Sequence, residues 1–525
     1  MEQKKQVIII GGGVAGLTAA LELLRQSDKY IPIVIEQEAQ VGGLSRTLRY
    51  KDNYIDIGGH RFFSKDESIM KWWTDLMPLQ GKPSKDDLIL NNEKPLSEEG
   101  PDPEKEDCIM LARRRISRIL YLRKFFDYPV SLKPKTLINM GLIKTAKSGW
   151  SYVISQLHKR PEISLEDFMI NRFGKTLYSM FFEDYTEKLW GRHPSRIDSS
   201  WGAQRIKGLS LSKTILNALS NLVLKKNDLL QKNKETSLIE QFIYPKYGPG
   251  QLWQTVADEV IRLGGVIRLN TKVVGLKENG SHVMAVEVQD IRGNRMSFSA
   301  DEVISSMPIK NLVMAMETPN KEVLRVANGL PYRDFMTVGL LVDRLNLKNE
   351  TNIKTVGDII PDTWIYVQER DVKVGRLQIF NNWSPYLTND FEHTVWIGME
   401  YFCDEGDNMW NMSDEEFIEF AKSEMVKLDI LSRDAVLDAV RYRVQKAYPA
   451  YFDTYKEFDK VRTYLDGFDN LYCVGRNGQH RYNNMDHSML TAMEAIHNIL
   501  NHKKDHSNIW NVNTEKVYHE TKKSL

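Results

Sequence analysis

The chain has 525 residues, enough to bury a large core and to form two or three domains. Its 71 basic and 70 acidic residues nearly cancel, which excludes a global field drawing nucleic acid or an anionic membrane and makes any anion binding local. Three widely spaced cysteines, Cys108, Cys403 and Cys473, exclude a disulfide framework and a C-x-x-C metal or redox pair, and fit a reducing cytoplasm. The first residues read as a buried strand rather than a signal peptide. No apolar run approaches roughly 18 residues, so no integral membrane segment is expected.

In chain order, residues 7–10 are a β-branched run typical of a strand buried on both faces. Gly11, Gly13 and Gly16 follow at G-x-G-x-x-G spacing, and residues 17–24 read as an Ala- and Leu-rich helix. Gly11 allows the tight turn, Gly13 lets backbone approach a pyrophosphate, and Gly16 lets helix and sheet pack closely. The pyrophosphate would sit on the helix N-terminus, where free N–H groups favour an anion. A second strand, 31–35, ends in Glu36, an acid suited to the hydroxyls of an adenosine ribose. Two features choose FAD over NAD. The motif opens a chain too long for one nucleotide domain, and a second glycine turn, Val41-Gly42-Gly43-Leu44-Ser45-Arg46, follows the acid. That turn resembles the GG motif of amine-oxidase-like flavoproteins, with Arg46 adding a cation.

Residues 54–57 predict a strand ending in Asp56-Ile57-Gly58-Gly59-His60-Arg61-Phe62-Phe63, where two glycines let backbone and an imidazole approach a flat ligand. Residues 77–107 turn polar and read as a loop or excursion. The five arginines at 113, 114, 115, 118 and 123 read as a solvated basic strand pair. Helical periodicity covers 137–157, 165–189 (with a start at Ser164) and 209–230. The segments around Trp190 and Trp201 read equally as ligand-facing or core. A turn at Gly248-Pro249-Gly250 leads into a helix over 252–263. Strands follow at 266–269, 273–277, 284–289, 295–299 and 303–307. Residues 335–400 are strand-rich, 415–428 helical, and 440–446 a strand stopped by Tyr448-Pro449. A last buried strand, 471–474, precedes Gly475-Arg476 and a helix over 486–500. The tail after His502 reads as polar and frayed. Eleven Trp and 22 Tyr are compatible with ordinary packing or with an aromatic-lined pocket, which only position decides.

These pieces predict an α/β chain. A Rossmann-type FAD-binding domain is built from discontinuous segments, 1–80, 245–310 and 465–505. An inserted helical domain spans 130–235, a mixed β-rich substrate domain 80–130 and 310–465, and a polar tail 505–525.

With these stretches in view, the chain resembles the UDP-galactopyranose mutase family in its longer, eukaryotic-type form, from residue 7 to about residue 500. Asp56-Ile57-Gly58-Gly59-His60 is similar to the motif that puts a histidine beside the flavin. Residues 181–205, with Tyr185, Lys188, Trp190, Trp201 and Arg205, match the family's helix and loop, Arg205 being the arginine placed at the active site. Trp364-x-Tyr366 followed by Arg376, and then Tyr448-Pro449, resemble the segments that bring tyrosines and an arginine to the diphosphate. Gly475-Arg476 with Arg481-Tyr482, Asn484, Asp486 and His487 resembles the terminal motif. The resemblance implies His60, Arg205 and Arg376 as catalytic residues. It implies Trp364, Tyr366, Arg376, Tyr448, Arg476, Tyr482 and Asn484 at the substrate. The expected FAD contacts are Gly11, Gly13, Gly16, Glu36, Gly43, Leu44, Arg46, Gly59, His60, Val274, Gly475, Arg476, Asp486, His487 and Ser488. No metal is expected. The family's asparagine before a Phe-x-x-Pro turn is absent near Phe242, and residues 80–125 do not align. These departures touch the identity of sugar and nucleotide more than the flavin.

The implied activity is interconversion of UDP-galactopyranose, or a related NDP-hexose, with its furanose through a covalent flavin N5–sugar intermediate. The active flavin would be reduced, with NADH or NADPH as reductant. No second dinucleotide motif is evident, so a nicotinamide would use the substrate's pocket. Arginines bind two phosphate oxygens at once, and tyrosines add donors without more charge. The rival is a redox flavoenzyme of the amine oxidase, protoporphyrinogen oxidase or desaturase type, which shares the N-terminal motifs but does not require the diphosphate arginines. A flavin-bearing binding protein is a second rival, and no motif supports it. A homo-oligomer is left open.

Overall fold

The run Val7-Ile8-Ile9-Ile10 is buried on both faces of the strand Lys5–Ile10, in a computed structural model that describes residues 4–94, 96–128, 130, 134–199, 202 and 241–512. Val7 and Ile9 enter one core while Ile8 and Ile10 enter another, as the two-residue period of a strand requires. Lys5–Ile10 is the middle strand of a five-stranded parallel sheet. The order across it is Leu471–Cys473, Glu302–Ser305, Lys5–Ile10, Tyr30–Ile35 and Val266–Arg268. The helices Val14–Gln26, Pro249–Arg262 and Met485–Leu500 cover one face through Leu17, Leu21, Leu252, Trp253, Ala492 and Ile496. On the other face Leu276, Val283 and Val286 contribute to the core from the antiparallel strands Thr271–Asn279 and His282–Asp290.

A second sheet has seven strands, in the order Val436–Pro449, Tyr332–Val342, Val395–Cys403, Arg376–Ile379, Trp364–Val367, Ser117–Tyr121 and Lys124–Asp127. All neighbours are antiparallel except Trp364–Val367 with Ser117–Tyr121. Phe417, Ala421 and Met425 of the helix Asp414–Lys427 join the core formed by this sheet. The helices Leu165–Tyr178 and Asp184–Trp190 pack against Val444 and Tyr448. The expected class, a Rossmann-type domain from discontinuous segments with a helical insertion and a second β-rich part, is the architecture observed.

Several local expectations change. The single helix over 137–157 is two, Pro134–Met140 and Leu142–Leu157, parted at Gly141. The helix over 165–189 is interrupted by a wide turn, Ser179–Glu183. The polar excursion holds a helix, Lys85–Leu90, started by a Ser84–Asp87 capping box. The arginine cluster is not a solvated pair. Arg113 is buried against Asp86 at 2.8 Å, and Arg118 donates from Nε to buried Asp362 at 2.9 Å. Sequence charge alone does not show that distant carboxylates fold onto these guanidiniums. The strand expected over 440–446 is longer, Val436–Pro449, and ends as expected at Pro449, which is its last residue and lies opposite Tyr332. After His502 the chain is not frayed as far as Asn511. Ser507–Asn511 is helical, and Trp510 is buried with its indole N–H on Asp466 at 2.7 Å. The expected helix over 209–230, Trp201, Arg205 and the tail beyond 512 lie outside the described residues. Among the described residues, no helix is long and apolar enough to cross a membrane.

Candidate functional site

A cavity of about 1160 Å³ lies between the two sheets, and most of the expected site residues line it. Drug-sized pockets measure roughly 300–1,000 Å³, so this one suits a dinucleotide with a substrate beside it.

The nucleotide end follows from the first strand. Gly11, at φ +103°, turns the chain, and its N–H donates to Ile35 carbonyl at 2.8 Å. Gly16 does not line the cavity. It sits against the turn, where an added Cβ would be 1.9 Å from Gly11 carbonyl oxygen. The two glycine turns touch: Gly42 N–H donates to Gly12 carbonyl at 2.9 Å, and Gly13 lies against Gly43. The helix Val14–Gln26 begins at Gly13 with no side-chain cap, so its free N–H groups face the cavity. Glu36 is buried at the end of its strand, accepting Gly12 N–H at 2.7 Å and Glu38 N–H at 2.9 Å, and burial raises its pKa. Arg46 meets Glu38 at 3.5 Å, yet its Nε is buried without a hydrogen-bond partner. Gly43, Leu44 and Val274 complete this end.

These residues fit FAD. An uncapped helix start and an orphaned guanidinium nitrogen suit a pyrophosphate, and a carboxylate at the strand end suits a ribose.

The middle of the cavity is built by Asp56-Ile57-Gly58-Gly59-His60. Asp56 is fully buried, accepting from Thr47 Oγ1 at 2.7 Å and from the Tyr244 hydroxyl. Burial pushes its pKa up to about 7 despite those bonds. A carboxyl whose folded pKa is raised keeps its proton after the unfolded chain has lost it, so stability falls as pH rises from about 4 to about 7. Between pH 5 and 8 the wild type is expected to lose about 3 kcal/mol relative to Asp56→Asn, read by urea unfolding at both pH values. Equal slopes for the two proteins would count against a protonated Asp56. Gly59 is required by a neighbour, since a Cβ there would lie 2.0 Å from the Trp364 ring. His60 Nδ1 is 3.0 Å from Gly58 carbonyl oxygen, which can only accept, so Nδ1 carries the proton and Nε2 keeps a lone pair. Burial, then the Arg476 charge, push its pKa down to about 4, and the ring is neutral at pH 7.

The far end carries arginines and tyrosines. Strand register sets Arg376 opposite Glu400. Arg376 donates from Nη1 to Glu400 at 3.0 Å and to the Tyr448 hydroxyl at 3.1 Å, and from Nε to the Tyr185 hydroxyl at 2.6 Å. Burial opposes its charge, but Tyr185, Tyr448 and Glu400 outweigh burial and hold it charged. Tyr366 packs edge-on to Tyr185, with ring centres 5.6 Å apart. Lys188 donates to the carbonyls of Val367, Glu369 and Val374 at 3.0–3.2 Å, tying the helical insertion to the hairpin that bears Tyr366 and Arg376. Burial lowers its pKa to about 8. Arg476 is fixed by the carbonyls of Asn483 and Ala447 at 2.8–3.1 Å and lies over the ring of Tyr482 at 4.6 Å. Tyr448 and Tyr482 stack, 7° from parallel.

Gly475, Asn484, Asp486 and Ser488 also line the cavity, with Asp486 accepting from Ser64 Oγ at 2.9 Å and Ser488 donating to Asn483 at 2.8 Å. His487 is not among the lining residues; its Nδ1 faces back to the Asn484 N–H, 3.4 Å away, at the start of its own helix. The expected catalytic Arg205 lies outside the described residues.

Three lining arginines, Arg61, Arg115 and Arg443, were not anticipated. Arg61 donates from Nη2 to Ser117 Oγ and Thr363 Oγ1, both at 3.1 Å, and its buried Nε has no partner. It lies 5.2–5.4 Å from the rings of Phe242, Trp364 and Trp383. Burial and then Arg115 push its pKa down. The signal available in the sequence was its place directly after Gly58-Gly59-His60. Glu400 was also missed, although a single acid in the apolar stretch Val395–Cys403 is itself a signal.

The fold and this cavity define an enzyme of the dinucleotide-binding flavoprotein class. The sequence model of the flavin containing amine oxidoreductase family matches residues 14–476, and the chain belongs to that family. It is 39% identical over 79 residues to an L-amino-acid oxidase of Siganus canaliculatus, and 42% identical over 60 residues to amine oxidase [flavin-containing] B of Homo sapiens. Those stretches are 15% and 11% of this chain, and only 14% and 11% of the relatives' lengths. The fold is similar to that of a reduced UDP-galactopyranose mutase, with TM-score 0.72 and 18% identity over 97% of this chain and 96% of that one. It is also similar to putrescine oxidase, with TM-score 0.58 and 15% identity over 95% and 99%.

Proposed function

We propose that this chain is a flavin-dependent sugar-nucleotide mutase, interconverting UDP-galactopyranose or a related NDP-hexose with its furanose form. One observation carries the proposal. Arg61 and Arg476 line the cavity beyond the flavin end, and among the described residues neither has a carboxylate partner. Half-buried guanidiniums met by hydroxyls and carbonyls leave positive charge that a nucleoside diphosphate neutralises. The same charge repels a protonated amine.

When bound, reduced FAD supplies a nucleophilic centre for the anomeric carbon. The chain's own residues do the rest. Arg476 and Arg61 hold the diphosphate as the sugar–oxygen bond breaks, which stabilises leaving-group charge and keeps the nucleotide for return. Arg376 acts with them, its position set by Tyr185, Tyr448 and Glu400. The hydroxyls of Tyr366, Tyr448 and Tyr482 serve as further donors. Trp364 closes one side and excludes water. Neutral His60 presents Nε2 as an acceptor and remains neutral through the physiological range. NADH or NADPH as reductant would enter through the same cavity, and the free cysteines fit a reducing, cytoplasmic setting.

The family's description as amine oxidoreductases favours a second reading, a redox flavoenzyme with net substrate oxidation. The deciding assay reduces the purified yellow protein with dithionite without oxygen and supplies UDP-galactopyranose and UDP-galactofuranose separately. Interconversion that requires reduced flavin is the expected result. Tight UDP binding without interconversion would point to another sugar. Neither would sink the mutase reading in favour of the oxidase.

A further inference from the structure

The helix Leu142–Leu157 is built inside out. Its buried residues are Ser148 and Ser155, and Ser151 accepts Thr176 N–H from the neighbouring helix Leu165–Tyr178 at 3.2 Å. This small-residue face lets the two backbones approach, since a Cβ on Gly174 would lie 2.7 Å from Tyr152 N. The apolar residues point the other way. Leu142 is 90% exposed, Ile143 75%, Trp150 70% and Leu157 74%, with Val153 and Ile154 also exposed. At about 100° per residue they fall in a stripe ~120° wide, opposite Ser148 and Ser155. Ile138 and Ile163, in the segments that flank the helix, are exposed as well. Contiguous apolar surface of this kind marks an interaction site.

Charge identifies the partner. Residues 128–161 carry Lys133, Lys135, Lys144, Lys147, Lys159 and Arg160 and no Asp or Glu, in a chain that is otherwise balanced. Lys144, Lys147 and Lys159 are exposed, while Arg160 meets Asp167 at 3.6 Å. A second copy docking through the same face would set cation against cation. A protein core would need acids of its own to meet the lysines.

We propose that this face docks on an anionic membrane surface, with the helix lying in the plane of the interface. Leu142, Trp150 and Leu157 enter the acyl boundary and the lysines meet lipid phosphates. With 16 residues the helix is about 24 Å long, shorter than a spanning segment, so it lies on the membrane. The inference does not depend on which substrate the cavity takes.

The test is flotation of the full-length holoprotein with vesicles of phosphatidylcholine alone or of phosphatidylcholine and phosphatidylglycerol in equal parts. The wild type should float with the anionic vesicles at low salt and much less at high salt. The double variant Trp150→Glu, Leu157→Glu, altered only at exposed positions, should lose at least about tenfold in partitioning with its flavin absorbance and turnover unchanged. Absence of wild-type flotation would overturn the proposal, as would equal binding to neutral vesicles or unchanged binding by the variant. A dimer in gel filtration that the variant breaks, without flotation, would assign the face to a second copy.

Discussion

Arg376→Gln is expected to remove turnover by roughly 10²–10³-fold while FAD remains bound, because the guanidinium lies at the far end of the cavity and the nucleotide end is built from other elements. The variant also strands Glu400, whose side chain is wholly buried and has Arg376 as its charged partner at 3.0 Å. Breaking a buried pair from one side costs about 3–5 kcal/mol, so the single variant will be less stable as well as inactive. The double variant Arg376→Gln, Glu400→Gln separates the two effects. It keeps a neutral hydrogen-bonded set among Gln378, Tyr185 and Tyr448, and should recover most of the stability seen in thermal unfolding but none of the turnover. Recovery of activity along with stability would show that Arg376 only supports the sheet. Loss of flavin absorbance in the double variant would show that the cavity had been divided wrongly between cofactor and substrate.

What the sequence made legible follows from the range of the forces involved. Val7-Ile8-Ile9-Ile10, the glycine triplet and Glu36 are local signals, since each residue's role is set by neighbours a few positions away, and their strand, turn and helix are found where the pattern puts them. The wealth of strand-forming residues over 335–400 made strands legible but not their neighbours. That Arg376 faces Glu400 depends on the register of two strands 24 residues apart, and that Arg118 finds Asp362 depends on a segment 244 residues away. The arginine run therefore reads as solvated although the folded chain buries two of its members in ion pairs. The terminal segment was misread for the same reason: Trp510 looks like the end of a polar tail until Phe458 and Asp466 supply its packing and its acceptor. His487 fits the terminal motif by position, yet its ring folds back on the start of its helix, with Nδ1 3.4 Å from the Asn484 N–H, while Asp486 and Ser488 line the cavity.

Arg61→Met should raise the KM for a sugar nucleotide by about 10–100-fold with little change in kcat, and leave stability within about 1 kcal/mol of the wild type. The reasoning is the reverse of that for Arg376. Arg61 has no carboxylate among the described residues; its partners are two hydroxyls and three ring faces, and burial with Arg115 nearby disfavours its charge. A half-buried cation in that state costs the folded protein desolvation energy that its neutral contacts return only in part. Methionine fills much of the same volume between Phe242, Trp364 and Trp383 without the charge, so the fold loses little. A diphosphate, in contrast, loses a charge-assisted contact in both bound substrate and transition state, which is uniform binding and appears in KM. If Arg61 were structural, the outcome would invert, with a large fall in unfolding free energy and an unchanged KM. The double variant Arg61→Met, Arg476→Met extends the argument, since removing both unpaired guanidiniums should abolish measurable UDP binding while the nucleotide end, with Gly13, Glu36 and Arg46, still holds FAD.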